Sequence, residues 1–377
     1  MIDPAGKELL AKDSYEVKTI EKLIGEIYDL GKVEKVYEIF GGYVNRSFGV
    51  EAVKDGEAID YFVRRYRETQ AESDIISEHD LIDYAIGKGL DCAAGLYKAP
   101  DGKTFTWIKN EEDGNNYPWA IYRYLYGEDP YDWINTNLKP EEDASLGALQ
   151  SRIHNCAYGF EGGEKEEPQI YEFLESGKDH WAHCCDNVEG VDPRDRYDMC
   201  YKANIDYVLK MADKARKGME DAGFIGKGIK TVCHCDWHPG NVKWKNGECV
   251  GVFDFDWSKV DYRLFDICFG LLYTCVAWED VNDGIPHLDR FKFYLGGYNN
   301  YSKEKGQLPP FTEEEQKAFP YMFLAAGIYL WNWATDYYNY PTDYNEYEWY
   351  YYLAHILKVI KYTDEHIDDL YELIKSC

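Results

Sequence analysis

Apolar positions recur every three to four residues over 15–31 and again over 72–88, the spacing of one face of an amphipathic helix, and the second run stops at Gly89. Between them the period changes. VYEIF, SFGVEAV and IDYFVRRY are short segments rich in β-branched and aromatic residues, parted by glycine-bearing or charged turns such as KDGEA, and they predict three antiparallel strands. AGLYKA, KTFTWI and PWAIYRYL continue the strand pattern, with Pro100, Asp101 and Gly102 supplying a turn. After Gly127 helical spacing takes over, at 141–157, 195–222, 262–278, 287–303, 313–338 and 347–375. One strand island interrupts the helices, running from GIKTVCH through NVKW to CVGVFDF. No internal repeat or low-complexity linker divides the chain further. The pattern therefore predicts a β-rich N-terminal lobe over residues 1–126 and a helix-rich C-terminal lobe over residues 127–377.

Composition sharpens this picture in three ways. With 377 residues, 45% hydrophobic and 16% aromatic, the chain can bury a sizeable core. No apolar run approaches the roughly 20 residues of a membrane span. The opening MIDPAGKELLAKD lacks the basic-then-apolar order of a secretory signal. The expectation is a protein with no membrane partner, cytoplasmic, its 11 irregularly placed cysteines kept as reduced thiols. The net charge of −28 argues against nucleic acid, whose phosphates attract Lys and Arg. Such a surface maintains solubility and also steers cationic small molecules.

The chemistry concentrates in HCDWHPGNVKWKNGECVGVFDFDW. Asp236 and Asn241 lie in a loop that Pro239 and Gly240 keep from being helical. Two strand-like segments follow, turning at Asn246-Gly247, and the second delivers Asp254 back towards Asp236 and Asn241. Two carboxylates and an amide oxygen suit a hard cation such as Mg²⁺. Phosphoryl transfer needs such a set, with one group to orient the acceptor hydroxyl and take its proton and a metal to offset phosphate charge. Asp236 is the candidate catalytic base, Asn241 and Asp254 the candidate Mg²⁺ ligands, and His234 a brace for the loop.

In these residues the chain resembles the aminoglycoside phosphotransferase and choline kinase family, which shares the bilobal protein-kinase-like fold. The family's catalytic loop, H-G-D-x-H-x-x-N, stands here as His234 to Asn241 with Cys235 in the glycine position, and its D-x-D as Asp254, Phe255 and Asp256. Asp266 resembles the family aspartate that ties the catalytic loop to the following helix. The resemblance implies an α+β fold with an antiparallel-sheet N-lobe that clamps ATP and a mainly helical C-lobe. Phe40 to Ser47 resembles the family's phosphate loop, which makes Gly41, Gly42, Asn45 and Ser47 candidates for the nucleotide. Arg64 stands where many relatives carry lysine, on the same strand face as Phe62, and Glu78 is its candidate partner. AIYRYLYGED resembles the hinge that holds adenine by its backbone, at Tyr122 to Leu125 and including Tyr124, with Gly127 at the lobe boundary.

Cys233, His234, Cys235 and His238, or His180, His183, Cys184 and Cys185, carry zinc-liganding atoms but no recognised zinc spacing. His154 reads as structural. Asp256 either sees the metal through water or caps the helix that follows, and the second reading is favoured. Trp331, Trp333, Tyr337 and Trp349 recur at helical spacing and read as core, though such faces also hold quaternary ammonium groups. No activation segment ending in A-P-E follows Asp254, which favours a small acceptor over a protein. The expected activity is transfer of the γ-phosphoryl group of ATP, with Mg²⁺, to a hydroxyl of a small molecule, cationic acceptors included: an amino alcohol such as choline or ethanolamine, homoserine, an aminoglycoside or a sugar. The alternative is a kinase-like nucleotide-binding protein without turnover.

Overall fold

The computed structural model describes residues 7–40, 45–161, 167–278, 281–339 and 345–377. The N-lobe is built from β1 (Lys7–Leu9), α1 (Tyr15–Lys22), β2 (Lys32–Ile39), β3 (Arg46–Lys54), β4 (Glu57–Arg65), α2 (Glu72–Gly87), β5 (Phe105–Lys109) and β6 (Asn116–Arg123). The six strands form one antiparallel sheet in the order β1-β2-β3-β4-β6-β5. Strand alternation gives the sheet two apolar faces. Phe48, Val50, Tyr61, Val63, Trp119 and Ile121 pack under Val17 and Ile20 of α1 as a separate small core. Ala120 and Tyr122 face the other way and join the core that continues into the second lobe.

The C-lobe follows as α3 (Pro140–Ala157), α4 (Ile170–Ser176), α5 (Lys178–His183), α6 (Arg196–Asp221), β7 (Lys230–Cys233), β8 (Val242–Lys245), β9 (Glu248–Val252), β10 (Lys259–Tyr262) and α7 (Arg263–Cys275). It ends with α8 (Leu288–Glu304), α9 (Glu313–Ala334), α10 (Asp336–Asn339), α11 (Glu346–Glu365) and α12 (Ile367–Lys375). α3 and α8 approach closely because Gly147 and Gly297 present no side chain; a Cβ on either would overlap the carbonyl of Tyr294 or Ala144. Arg290 of α8 closes that contact with a two-pronged pair to Asp143 of α3, at 2.9 and 2.7 Å.

This is the expected antiparallel-sheet N-lobe and helical C-lobe, with local departures. AGLYKA is not a strand: Leu96 makes a single bridge to Tyr122, and Ala93 just before it bridges Val252. The helical run over 347–375 breaks at His366 into α11 and α12. Asp256 caps no helix, because β10 intervenes and pairs with β7 before α7 begins at Arg263.

Two backbone connections join the lobes. The chain leaves β6 at Arg123 and is caught by the C-lobe at Glu128, whose N–H donates to Trp244 O at 2.8 Å and whose carbonyl accepts from Trp244 N at 3.0 Å. Gly127 is required there, since a Cβ would lie 2.8 Å from Lys243 Cβ and 3.0 Å from Trp244 O. Alongside runs segment 92–97. Ala94 N–H donates to Val252 O and Val252 N–H to Cys92 O on the C-lobe side, while Tyr97 N–H donates to Ile121 O and Arg123 N–H to Gly95 O on the N-lobe side.

Candidate active site

β7 ends at Cys233, and the loop after it turns sharply at Cys235, whose backbone is left-handed with φ of +61°. A non-glycine residue there costs on the order of 1 kcal/mol. The turn aims Cys235 N–H at Asp266 Oδ1, 2.8 Å away on α7. The other Asp266 oxygen, Oδ2, lies 2.8 Å from His154 Nε2 and accepts from Gln150 Nε2 at 3.0 Å; His154 Nδ1 in turn lies 2.7 Å from the Tyr298 hydroxyl. All these groups are buried, so Asp266 is a fully bonded anchor between the loop and two helices. His234 braces the other side, its Nε2 sitting 3.0 Å from Phe253 O.

The anchored loop presents Asp236 at the cleft. Asn241 Nδ2 donates to Asp236 Oδ2 at 3.0 Å and to Asp236 O at 2.8 Å, which leaves the Asn241 amide oxygen as an acceptor. His238 takes Gly240 N–H on Nδ1 at 3.1 Å and sets Nε2 3.8 Å from Asp236 Oδ2. Burial, only partly offset by Asp236, lowers the His238 pKa. The β8–β9 hairpin turns at Asn246 and Gly247, both left-handed at φ 54° and 80°. It returns to the loop through Phe253 N–H, which donates to Asn241 O at 3.2 Å, and so delivers Asp254 with φ of +71°.

Arg64 reaches Asp254 from the N-lobe. Its Nη2 lies 2.5 Å from Asp254 Oδ1, and its Nη1 lies 3.6 Å from Glu78 Oε1 and 3.8 Å from Asp256 Oδ2. Burial opposes the charge on Asp254, but Arg64 outweighs it and holds that carboxyl below the usual range. Burial and the neighbouring Asp254 push Asp256 well above it. Asn45 reaches the same cluster, donating from Nδ2 to Asp256 Oδ2 at 3.1 Å while its Oδ1 accepts from Arg67 N–H. Ser47 of β3 is the register partner of Arg64. Gly41 and Gly42 lie outside the described residues.

Glu78 belongs to a buried polar group that sequence reasoning did not assemble: the hydroxyls of Tyr66 and Tyr122 lie against its two oxygens, and His79 and Thr104 extend the group. Tyr122 is therefore sequestered, its side chain in this group and its backbone in the sheet opposite Phe62. The stretch between the two lobes' ladders is Tyr124 to Tyr126. Tyr124 lies beneath β3, 3.8 Å from where a Gly49 Cβ would stand.

Around Asp236 stands an aromatic wall drawn from distant parts of the chain. Asp132 packs against Gly240, its Cα 3.1 Å from where a Gly240 Cβ would stand. Trp133 and Trp278 meet edge to face at 5.5 Å, and Tyr352 of α11 lies 6.5 Å from Trp133 and 6.3 Å from Trp278. Tyr352 and Tyr273 feel each other and the charge of Asp236. The Tyr352 hydroxyl and the Trp278 Nε1–H are buried without a hydrogen-bond partner among the described residues. These residues come from three separate stretches, near 133, 278 and 352, with no shared spacing, which hid the wall from the sequence. Residues of the two His/Cys clusters that lack zinc spacing are engaged structurally: His180 with Thr335, His183 with Asp186, Cys184 with Tyr201 and Cys233 with backbone carbonyls.

The donor set fits Mg²⁺ and phosphate. Asn241 and Asp254 offer hard oxygens, and Arg64 Nε and Nη1 are buried without a hydrogen-bond partner among the described residues. Two lobes clamping such a cleft, with a loop carboxylate facing it, define a kinase-like phosphotransferase. The chain belongs to the phosphotransferase enzyme family, whose model matches residues 36–303. It is similar to homoserine kinase of Methylobacillus glycogenes, 23% identical over 306 residues, 81% of this chain and 80% of that one. Two solved structures share its fold. Amicoumacin kinase hAmiN, in complex with AMP-PNP, Ca²⁺ and Ami, superposes with a TM-score of 0.60 at 16% identity, covering 93% of this chain and 94% of that one. A microcompartment-associated aminopropanol kinase gives 0.63 at 13% identity, covering 94% and 98%. The chain is a small-molecule kinase acting on a hydroxyl group. Among the described residues no helix is long and apolar enough to cross a membrane.

Proposed function

We propose that this protein transfers the γ-phosphoryl group of Mg²⁺-bound ATP to the hydroxyl of a small alcohol that carries an amine and no carboxylate. The observation that carries the transfer step is the convergence of Arg64, Asn241, Asp254 and Asp236 on one cleft. Asp236 orients the acceptor hydroxyl and takes its proton, Asn241 fixes the Asp236 carboxylate, and Arg64 binds phosphate oxygens. Asn241 Oδ1 and Asp254 would hold Mg²⁺, which when bound offsets the charge of the transferring phosphoryl group. Gly41, Gly42, Asn45 and Ser47 are assigned to the phosphates and Tyr124 to the adenine edge, with the boundary between lobes at 126 and 127.

The wall of Trp133, Trp278 and Tyr352 supports the amine. An ammonium is attracted to aromatic faces, and Asp236 and Asp336 supply negative charge there. Among the described residues, three C-lobe cations that could meet a carboxylate are already paired. Lys358 is paired with Asp283, Arg290 with Asp143 and Lys243 with Asp129. Residues 279–280 and 340–344 contain no Lys or Arg. The relative named homoserine kinase supports a second reading, in which the acceptor is that amino acid.

ADP release with Mg²⁺ and ATP, measured across choline, ethanolamine, aminopropanol, homoserine, hexoses and aminoglycosides, tests the proposal. Stimulation by an amino alcohol, lost in Asp236→Ala, supports it. Stimulation by homoserine above the uncharged-tail amines overturns the carboxylate argument, and nucleotide binding with no stimulation by any compound favours a fold kept for binding.

A further inference from the structure

We propose that Trp278 is a specificity-determining residue of the acceptor site: its indole N–H is held ready for an uncharged oxygen, so the preferred acceptor carries a further hydroxyl or ether oxygen besides its amine and the hydroxyl that is phosphorylated. The inference rests on the amino-alcohol reading of the cleft and names one more group on that acceptor.

Trp278 is fixed from two sides. The chain leaves α7 at Cys275 and folds back on itself, with Val276 bridged to Pro286 and Gly284 N–H donating to Ala277 O at 3.0 Å. This loop is seated on α11 at Gly284, where a Cβ would lie 2.5 Å from Lys358 Cβ and 3.2 Å from His355 O. Asp283 ties the loop to the same helix. Its Oδ1 lies 2.5 Å from His355 Nδ1, and its Oδ2 accepts from Lys358 Nζ. His355 in turn lies flat against the Trp278 indole, ring centroids 3.5 Å apart and planes within 10° of parallel. Trp133 meets the indole edge to face at 5.5 Å. A ring packed in this way has no room to swing towards a partner of its own.

Yet the Trp278 Nε1–H is buried without a hydrogen-bond partner among the described residues. Leaving a buried donor unpaired costs about 1–3 kcal/mol. The indole N–H groups of Trp119, Trp237 and Trp331 are also unpartnered, but those rings are fully enclosed in the cores. Trp278 is only partly buried, and its wall touches the catalytic loop twice: at Asp132, packed against Gly240, and at Tyr273, whose ring lies 5.9 Å from His238. A molecule bound beside Asp236 is therefore the partner that can reach this N–H.

The chemistry of the donor selects the ligand atom. An indole N–H donates and never accepts, so an ammonium cannot satisfy it and an oxygen can. Tyr352, stacked 6.3 Å from Trp278, feels the negative charges of Asp236 and Asp336, and this field disfavours a carboxylate at the same place. An uncharged oxygen meets both conditions.

The test compares kcat/KM of the wild type and Trp278→Phe, with Mg²⁺ and ATP, on two matched pairs of acceptors. Serinol and alaninol differ by one hydroxyl; homoserine and 3-aminopropanol differ by one carboxylate. Phe keeps an aromatic face and has no N–H. The expected result is that the wild type prefers serinol to alaninol by about five- to tenfold, the worth of one hydrogen bond to a donor otherwise left unpaired, and that Trp278→Phe brings the two within about twofold of one another. Should Trp278→Phe fail to fold, the indole ¹H–¹⁵N spectrum of the wild type with Mg²⁺–AMP-PNP decides. One of its 11 Trp signals should then move downfield with serinol and stay in place with alaninol, and no such movement overturns the proposal. Equal use of serinol and alaninol by the wild type, or a preference that survives in Trp278→Phe, overturns it as well. A preference for homoserine over 3-aminopropanol that Trp278→Phe abolishes makes the oxygen a carboxylate and overturns the uncharged class. Turnover of none of the four compounds overturns the amino-alcohol reading itself.

Discussion

Arg64 and Asp254 meet across the cleft between the lobes, Nη2 to Oδ1 at 2.5 Å, so a residue of the N-lobe sheet and a residue at the end of the C-lobe hairpin hold one another in place. The left-handed backbone of Asp254 and the burial of Arg64 are both tolerated because of this pairing. Removing either partner leaves the other charge exposed to a different fate. Asp254→Ala should weaken Mg²⁺–nucleotide binding by more than about tenfold through loss of a metal oxygen, and titration at fixed nucleotide with varied Mg²⁺ checks it. An unchanged Mg²⁺ requirement would remove Asp254 from the metal site.

Asp236 behaves differently. Its hydrogen bonds are with Asn241 of its own loop. Asp236→Ala should lower kcat by about 10²–10⁴-fold, the usual worth of a positioned base, and leave the Kd for Mg²⁺–AMP-PNP within about twofold. Single-turnover rates beside calorimetry separate the two effects.

His79 predicts a pH dependence of stability. Burial, helped by Arg64, lowers its pKa from 6.5 to about 3. The unfolded chain then binds a proton between these values that the folded chain does not. The neutral imidazole's contribution is complete above the unfolded pKa of 6.5 and is lost as pH falls towards about 3. Chemical denaturation at pH 7, 6, 5 and 4 should show the wild type's advantage over His79→Gln shrinking by up to about 1.4 kcal/mol per pH unit below 6.5. A constant gap would show that His79 binds protons alike in the folded and the unfolded chain.

The contact of α3 with α8 predicts a stability effect away from the chemistry. Gly147→Ala places a methyl group against Tyr294 O and should cost about 1–3 kcal/mol, as overpacking does. Thermal unfolding reads it directly, and the Kd for Mg²⁺–AMP-PNP should not change in the protein that remains folded.

Much of this was legible in the chain because the chemistry is local. Asp236, Asn241 and Asp254 sit on one loop and one hairpin, and Asn246-Gly247 announces that hairpin by its need for left-handed backbone. Arg64 could be placed by alternation against Phe62. What stayed hidden depends on distance. Tyr66, His79, Thr104 and Tyr122 lie on four separate stretches, and nothing in their spacing says that they share one carboxylate. AGLYKA reads as a strand by composition, but its neighbours leave room for bridges alone. β10 was missed because four residues between an aspartate-rich turn and a strongly apolar helix carry too little pattern to be told from the helix itself.

The two backbone connections between the lobes run side by side, Tyr124 to Tyr126 in one and residues 92–97 in the other. Bodies joined at two points along a line fold about that line and resist twisting about any other. Opening of this cleft is accordingly expected to be a rotation about that line, small beside Gly127 and larger at a rim where the lobes meet away from it, as at Asn45 and Asp256. Spectroscopic labels placed at that rim should separate and close with nucleotide, while a pair placed at the paired backbones should stay at one distance throughout.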